Sequence, residues 1–338
     1  MRRHTTIPAL IVFAVFSIFS TPPAAARTLV KMATLVPAGS VWDKALKEMG
    51  AVWQEATDGE VMLRIYAGGV AGDEPDVVRK MRVGQIHAAA FTVTGLSEID
   101  EGFDAFQIPM FYESYDELNH VLEALRPELE ERLAAKGYRL LHWGHGGWVH
   151  FFSKKPVRTV ADLRTQKIFA WAGNDRMVQL WRRNEFQAVA LAATDIMTGL
   201  QTGMIEALPT TPLAALSLQW FRQTPYMQDL GLAPLIGGTV ISTKIWDRIS
   251  PEHQGKILEA AKQAEAELLR EIPIQDAKAI DEMKNRGLEV IEISGEVADE
   301  WRVEADKLFR DESSKRSPEL QALLEKVKQA RDAYRAGK

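Results

Sequence analysis

From Leu29 to Thr34 apolar and polar side chains alternate with β-branched content, the period of a strand with one face turned inward. Val41, Ala45, Met49, Val52 and Trp53 then recur at helical spacing, so Val41–Thr57 reads as a helix. The Asp58-Gly59 turn follows, and Val61–Tyr66 reads as the next strand. A strand, a helix and a strand within about 40 residues make the βαβ unit of a parallel sheet. The pattern continues through helix Glu74–Val83, strand His87–Phe91, helix Tyr115–Ala135 and strand Tyr138–Trp143. A second series comprises strand Lys167–Ala170, helix Asp175–Asn184, strand Phe186–Val189, helix Thr194–Thr202 and strand Ala207–Thr210.

Two series separated by Trp148–Pro156 predict two α/β lobes, each a mostly parallel sheet flanked by helices. His145-Gly146-Gly147 and Gly237-Gly238 are the expected crossings between them, acting as hinges. Pro251 to about Arg286 reads as a helix whose internal break is Pro273, long enough at ~1.5 Å per residue to span both lobes. A short strand, Leu288–Ile291, and two charged amphipathic helices, Val297–Ser313 and Pro318–Ala336, complete the chain. The expected division is residues 27–147 with about 236–272 in the first lobe, and 148–235 with about 273–338, including the C-terminal helices, in the second.

Ahead of this pattern stand Met1-Arg2-Arg3-His4, an uncharged apolar run from Ile7 to Phe19, and an Ala24-Ala25-Ala26 ending. A basic start, a short apolar core and small residues form a secretory signal over residues 1–26, expected to be cleaved after Ala26. The run is too short for the ~20 residues that span a bilayer. The expected location is the periplasm. With no Cys in the chain, neither a disulfide framework nor a lipid-modified Cys is available, so the core must hold the fold. A net charge of -5, with no basic stretch free of acids, excludes a nucleic-acid partner.

Several segments in order carry a resemblance. Thr57-Asp58-Gly59-Glu60 leading into Leu63-Arg64-Ile65-Tyr66, Gly69-Val70-Ala71-Gly72, Met81-Arg82-Val83-Gly84-Gln85-Ile86 and Ile108-Pro109-Met110-Phe111-Tyr112 come first. Ser153-Lys154-Lys155-Pro156-Val157, Lys167-Ile168, Gly199-Leu200-Gln201-Thr202-Gly203-Met204-Ile205-Glu206 and Trp246-Asp247-Arg248-Ile249-Ser250-Pro251-Glu252 follow. Over about residues 29 to 285 the chain resembles the solute-binding proteins of TRAP transporters, the dicarboxylate-binding type. The resemblance implies a two-lobed periplasmic binding protein fold, type II-like, that closes by a hinge over a small organic ligand. It also implies delivery to integral membrane TRAP transporter subunits, no catalysis, and in some relatives a repeat-protein partner.

Ligands of open parallel sheets bind outside the carboxyl ends of the strands. That rule nominates Leu35 and Val36, Phe91 and Thr92, Phe169 and Trp171, and Leu208, Thr210 and Thr211 as ligand-binding residues. Where family members that carry carboxylates place an Arg after Lys-Ile, this chain has Phe169, and a second Arg position falls near Val149, beside Trp148. The expected ligand is therefore largely apolar or aromatic, with Trp171 offering a flat face and an N–H donor. A carboxylate would need a compensating cation, for which Arg176 and Lys31 are candidates.

Two other classes compete. His142, His145 and His150 lie within nine residues, which raises a His-rich metal-binding periplasmic protein, although no Cys, Asp pair or Glu-x-x-His completes a site. The charged helices after Val297 raise an adaptor working with a partner protein. No Gly-x-Ser-x-Gly, Walker loop or dinucleotide fingerprint is present, and Gly68-Gly69-Val70-Ala71-Gly72 lacks the Lys-Ser/Thr ending of a phosphate loop. No catalytic residue and no cofactor are assigned.

Overall fold

The computed structural model describes residues 27–313 and 317–337, so the expected signal segment lies outside the described residues. The strands are β1 (Thr28–Thr34), β2 (Val61–Tyr66), β3 (Ala88–Thr92), β4 (Tyr138–Ser153), β5 (Lys167–Trp171), β6 (Gln187–Leu191), β7 (Ala207–Thr210), β8 (Tyr226–Gln228), β9 (Ala233–Ser242) and β10 (Glu289–Ile291). The first-half helices are α1 (Val41–Ala56), α2 (Glu74–Arg82), α3 (Val93–Ile99) and α4 (Tyr115–Ala135). After them come α5 (Val160–Arg164), α6 (Asp175–Arg183), α7 (Ile196–Thr202), α8 (Pro212–Ser217), α9 (Thr243–Trp246), α10 (Pro251–Lys284), α11 (Glu296–Ser313) and α12 (Pro318–Ala336).

Local chemistry explains the boundaries. Ser40 caps α1 by accepting from the Asp43 N–H, and Ala45, Leu46, Met49 and Trp53 form its buried stripe. At the other end the Thr57 hydroxyl donates to the Trp53 carbonyl and its oxygen accepts from the Val61 N–H, which fixes how the helix feeds β2.

The strand order is β2-β1-β3-β9-β4-β7-β5-β6, with β8 beside β4 and β10 beside β8. The outer strands are parallel, β1 with β2 and β3 and β5 with β6 and β7. The middle is not. β9 runs antiparallel to β3 and β4, and β4 runs antiparallel to β7. Each lobe is therefore a mixed sheet.

β4 corrects the expected domain break. Instead of stopping at Trp143 it continues to Ser153, its first part pairing with β9 and its last residues with β7. The expected hinge at Gly146-Gly147 is a register shift inside this strand, between His145 and Trp148. Gly147 has φ +108°, and a Cβ there would lie 2.6 Å from Asp276, while one on Gly146 would lie 2.5 Å from Leu235. Gly237 likewise sits inside β9, where its missing side chain admits the Phe91 carbonyl oxygen. These glycines permit close packing at the crossing.

α10 also runs on where a break was expected, passing through Pro273. A Pro inside a helix costs about 3 kcal/mol, but here Ile272, Asp276 and Ala279 around it are all buried. At 34 residues it is about 50 Å long. Ile257 and Ala261 pack in the first lobe and Met283 in the second. α12 departs from the expected division too, because Leu320, Leu323, Leu324 and Val327 join the first-lobe core with Leu118 and Leu129 of α4. Arg335 pairs with Glu117 and Arg331 lies over the Phe111 ring, which holds the helix there. α11 stays on the second lobe, with Trp301 in that core.

Asp276 ties the crossing together. Its carboxylate accepts from the Trp148 N–H of β4 (3.0 Å) and the Leu213 N–H of α8 (2.9 Å), and burial pushes its pKa up to about 6. Asp276→Ala should cost about 2–4 kcal/mol, since two backbone donors lose their partner. Urea unfolding measures it, and a change below ~0.5 kcal/mol would show the crossing does not depend on this group.

Candidate ligand-binding site

The two lobes enclose a cavity of about 410 Å³ whose walls come from the ends of β1, β3, β5 and β7 and from β4 and β9 where they cross. Leu35 and Val36 enter from the first strand, Phe91 and Thr92 from the third, and Phe169 and Trp171 from the fifth. Val149 and Thr210 also line it. Three nominated residues stand elsewhere. Trp148 points its ring at Tyr115, centroids 5.4 Å apart, because it alternates with Val149 along the strand. Leu208 is fully buried in the second-lobe core, and Thr211 is the buried N-cap of α8, accepting from the Ala214 N–H.

Other lining residues gave weaker signals. Trp42 is the second residue of α1 and donates its indole N–H to the His145 carbonyl at 2.8 Å, so it bridges to β4. Trp220 comes from a single 3-10 turn with no sequence pattern of its own. Glu74 opens α2 just beyond the Gly-rich loop, a stretch read for the resemblance and for its failure to match a phosphate loop, not as part of a site.

Among the described residues no Lys or Arg lines this cavity; its titratable lining groups there are Glu74, His142 and His145. Burial raises the Glu74 pKa to about 7, against bonds accepted from the Thr92 N–H (2.8 Å) and hydroxyl (2.7 Å) and the Gly95 N–H (2.7 Å). Burial pushes His145 down to about 4, with its Nε2 2.8 Å from Asn119 Oδ1. Burial lowers His142 and His150 as well; their Nδ1 atoms face the carbonyls of Trp143 and Gln228. The three rings thus go to three separate partners, and among the described residues no three His, Cys, Asp or Glu side chains cluster as metal ligands.

The candidate cations lie outside this lining. Arg176 pairs with Asp104, and Lys31, on β1, donates its backbone N–H to His87.

Across the cleft, Asp73 joins the lobes. Its Oδ1 accepts from the Glu74 N–H and so starts α2, while Oδ2 accepts from the Trp171 indole N–H and the Ala193 N–H, both at 2.9 Å. The Trp171 N–H expected to face a ligand is therefore occupied by Asp73, and the ring contributes its apolar surface.

The sequence profile of the bacterial extracellular solute-binding proteins, family 7 (DctP), matches residues 32–315. This chain belongs to that family. A solute-binding protein of Chromohalobacter salexigens is 23% identical over 291 residues, 85% of each chain. The 2,3-diketo-L-gulonate-binding periplasmic protein YiaO of Escherichia coli is 24% identical over 253 residues, 73% of this chain and 76% of that one. Among solved structures, a TRAP periplasmic solute-binding protein of a Sulfitobacter species with bound β-D-galacturonate superimposes with a TM-score of 0.83 at 18% identity, covering 89% of this chain and 99% of that one. The family 7 fold is two-lobed, and its members are extracytoplasmic substrate receptors rather than enzymes. Among the described residues no helix is long and apolar enough to cross a membrane.

Two outcomes follow for this family 7 chain. Asp73→Asn keeps an oxygen for the helix cap but turns an amide toward two N–H donors, so ligand affinity should fall by about 10- to 100-fold. Calorimetry tests this, and an unchanged Kd with unchanged helical content would dismiss the latch. For His145, the folded state stays neutral down to about pH 4 while the unfolded chain protonates near 6.5. Stability from this group is thus complete above about pH 6.5 and declines by about 3 kcal/mol as pH falls to about 4. Glu74 and Asp276, with raised values, act in the opposite direction, so the comparison is with His145→Gln. The variant should lack this decline in urea unfolding from pH 7 to pH 4; parallel curves would place a charged imidazole in the fold.

Proposed function

We propose that this chain is the periplasmic receptor of a TRAP-type transporter that captures a small, largely apolar or aromatic organic molecule by closing its lobes. It is exported by residues 1–26, cleaved after Ala26, and hands its ligand to the integral membrane subunits. The repeat-protein partner implied by the resemblance finds no support in the relatives and is not part of the proposal. Leu35, Val36, Phe91, Thr92, Val149, Phe169, Trp171 and Thr210 are its proposed ligand contacts, with Trp42, Trp220 and Glu74.

The observation that carries the reading is the lining itself. Trp42, Phe91, Phe169, Trp171 and Trp220 line the space, and among the described residues no Lys or Arg does. A carboxylate buried without a paired cation loses its charge-assisted bonds and keeps a desolvation cost of several kcal/mol. Glu74, the one carboxyl in the wall among the described residues, would repel it further in its ionised form.

A second reading has its own support, because solved relatives hold sugar acids: galacturonate, glucuronate, gulonate. Calorimetry separates the two. An aromatic, branched-chain or alkyl compound with at most one polar head should bind, and D-glucuronate should not. Trp171→Ala should weaken binding by about 1–3 kcal/mol. Trp171→Phe, which keeps a ring and drops the bond to Asp73, apportions that loss between stacking and latch. Tight, salt-sensitive binding of D-glucuronate, indifferent to Trp171→Ala, would overturn the apolar reading.

A further inference from the structure

His142 lies in β4 and lines the candidate ligand cavity with only 2% of its surface exposed. Its Nδ1 stands 2.8 Å from the Trp143 carbonyl oxygen, which can only accept, so Nδ1 carries the ring proton and Nε2 the lone pair. Burial lowers the pKa of the ring, which favours this neutral form. Among the described residues nothing bonds to Nε2. The charged groups beside it are engaged with each other: Glu265 of α10 accepts from the Trp143 N–H and from Arg126, which also donates to Glu123. Two residues along the strand, a Cβ on Gly144 would lie 3.7 Å from Leu268 of α10, so His142 and Gly144 turn one strand face towards that helix. Leu268, Gly144 and Thr239, the partner of His142 across the ladder, line the same cavity. His145 differs. Its Nδ1 is also unbonded, but its ring packs on Tyr115 and its Nε2 faces Asn119, and neither of these α4 residues is in the lining.

We propose that His142 is a specificity-determining residue of the cavity, and that its Nε2 accepts a hydrogen bond from a hydroxyl of the ligand. The inference rests on this cavity being the ligand site and adds the group that is read there. It holds for an aromatic alcohol and for a hydroxy acid alike, so it does not depend on whether the ligand carries a carboxylate. The chemistry selects a hydroxyl. A ring nitrogen without a proton accepts and cannot donate, so a carboxylate or ether oxygen gains nothing there. An ammonium would donate too, but it loses far more hydration than a hydroxyl on burial. An acceptor buried without a partner is costly, and a donor brought by the ligand offsets that cost. A compound of the same shape without the O–H leaves the nitrogen unpaired, which is how a buried polar group discriminates between ligands.

The test titrates 4-ethylphenol, 4-ethyltoluene, which replaces the hydroxyl by a methyl, and D-glucuronate calorimetrically into the mature protein and two variants. His142→Asn keeps an amide N–H for the Trp143 carbonyl and removes the acceptor, whereas His142→Gln carries an amide oxygen to the place of Nε2. The ratio of the phenol affinity to the toluene affinity should fall by about tenfold in His142→Asn and hold in His142→Gln. An unchanged ratio in His142→Asn overturns the role of His142 while leaving the apolar reading standing. If D-glucuronate binds in place of both aromatics, the apolar reading falls, and His142→Asn should then weaken D-glucuronate by about tenfold while His142→Gln does not; an unchanged affinity overturns both. A second readout needs no variant to fold. In wild-type protein labelled with nitrogen-15 histidine, the His142 Nε2 resonance should move on saturation with 4-ethylphenol or D-glucuronate, as an acceptor gains a donor. A resonance that neither compound moves overturns the inference.

Discussion

Two strands, β4 and β9, pass from one lobe to the other side by side and antiparallel, and the rest of the molecule is arranged around that crossing. Because β4 is continuous, the lobes cannot be separate bodies on a loose tether. Asp276 of the long helix fastens the crossing from behind by bonding β4 and the start of α8 together. Glycines at 146, 147 and 237 let backbone and side chains approach where any Cβ would collide. The candidate ligand cavity lies at this same place, with walls from both lobes. Asp73 reaches across it to Trp171 and Ala193.

Family membership fixes the task of binding and release but not the ligand, which is set by side chains grafted on a shared frame. Here the frame ends in Phe169 and Val149 where a guanidinium would suit a carboxylate, and both side chains line the cavity. Glu74 is the acid in the wall of the cavity, its pKa raised to about 7 by burial, and burial lowers the pKa of His142 and His145 there.

Much of the fold was legible, because period and punctuation agree locally. The spans Val61–Tyr66, Tyr115–Ala135, Ala207–Thr210 and Pro318–Ala336 coincide with β2, α4, β7 and α12. What failed was long-range. Gly146-Gly147 reads as a break by local preference, yet β9 pairing carries β4 through it. Pro273 reads as a stop, yet buried neighbours on both sides carry α10 past it. The return of α12 to the first lobe depends on what its apolar stripe meets, which no local pattern states. In the site, the strand-end rule reached Leu35, Phe91, Phe169 and Trp171 because backbone direction alone puts them there. The resemblance pointed to Val149 and Trp148 together and could not separate them without the register, and neither route found Trp42 and Trp220, whose positions come from helix and turn packing.

The most direct test of a largely apolar or aromatic ligand is the molecule the protein carries from the cell. Protein purified from the periplasm without refolding, then denatured and extracted, can be analysed by mass spectrometry for small molecules present in near-stoichiometric amount. The account predicts a largely apolar or aromatic compound. A hexuronate or aldonate in that extract would contradict it.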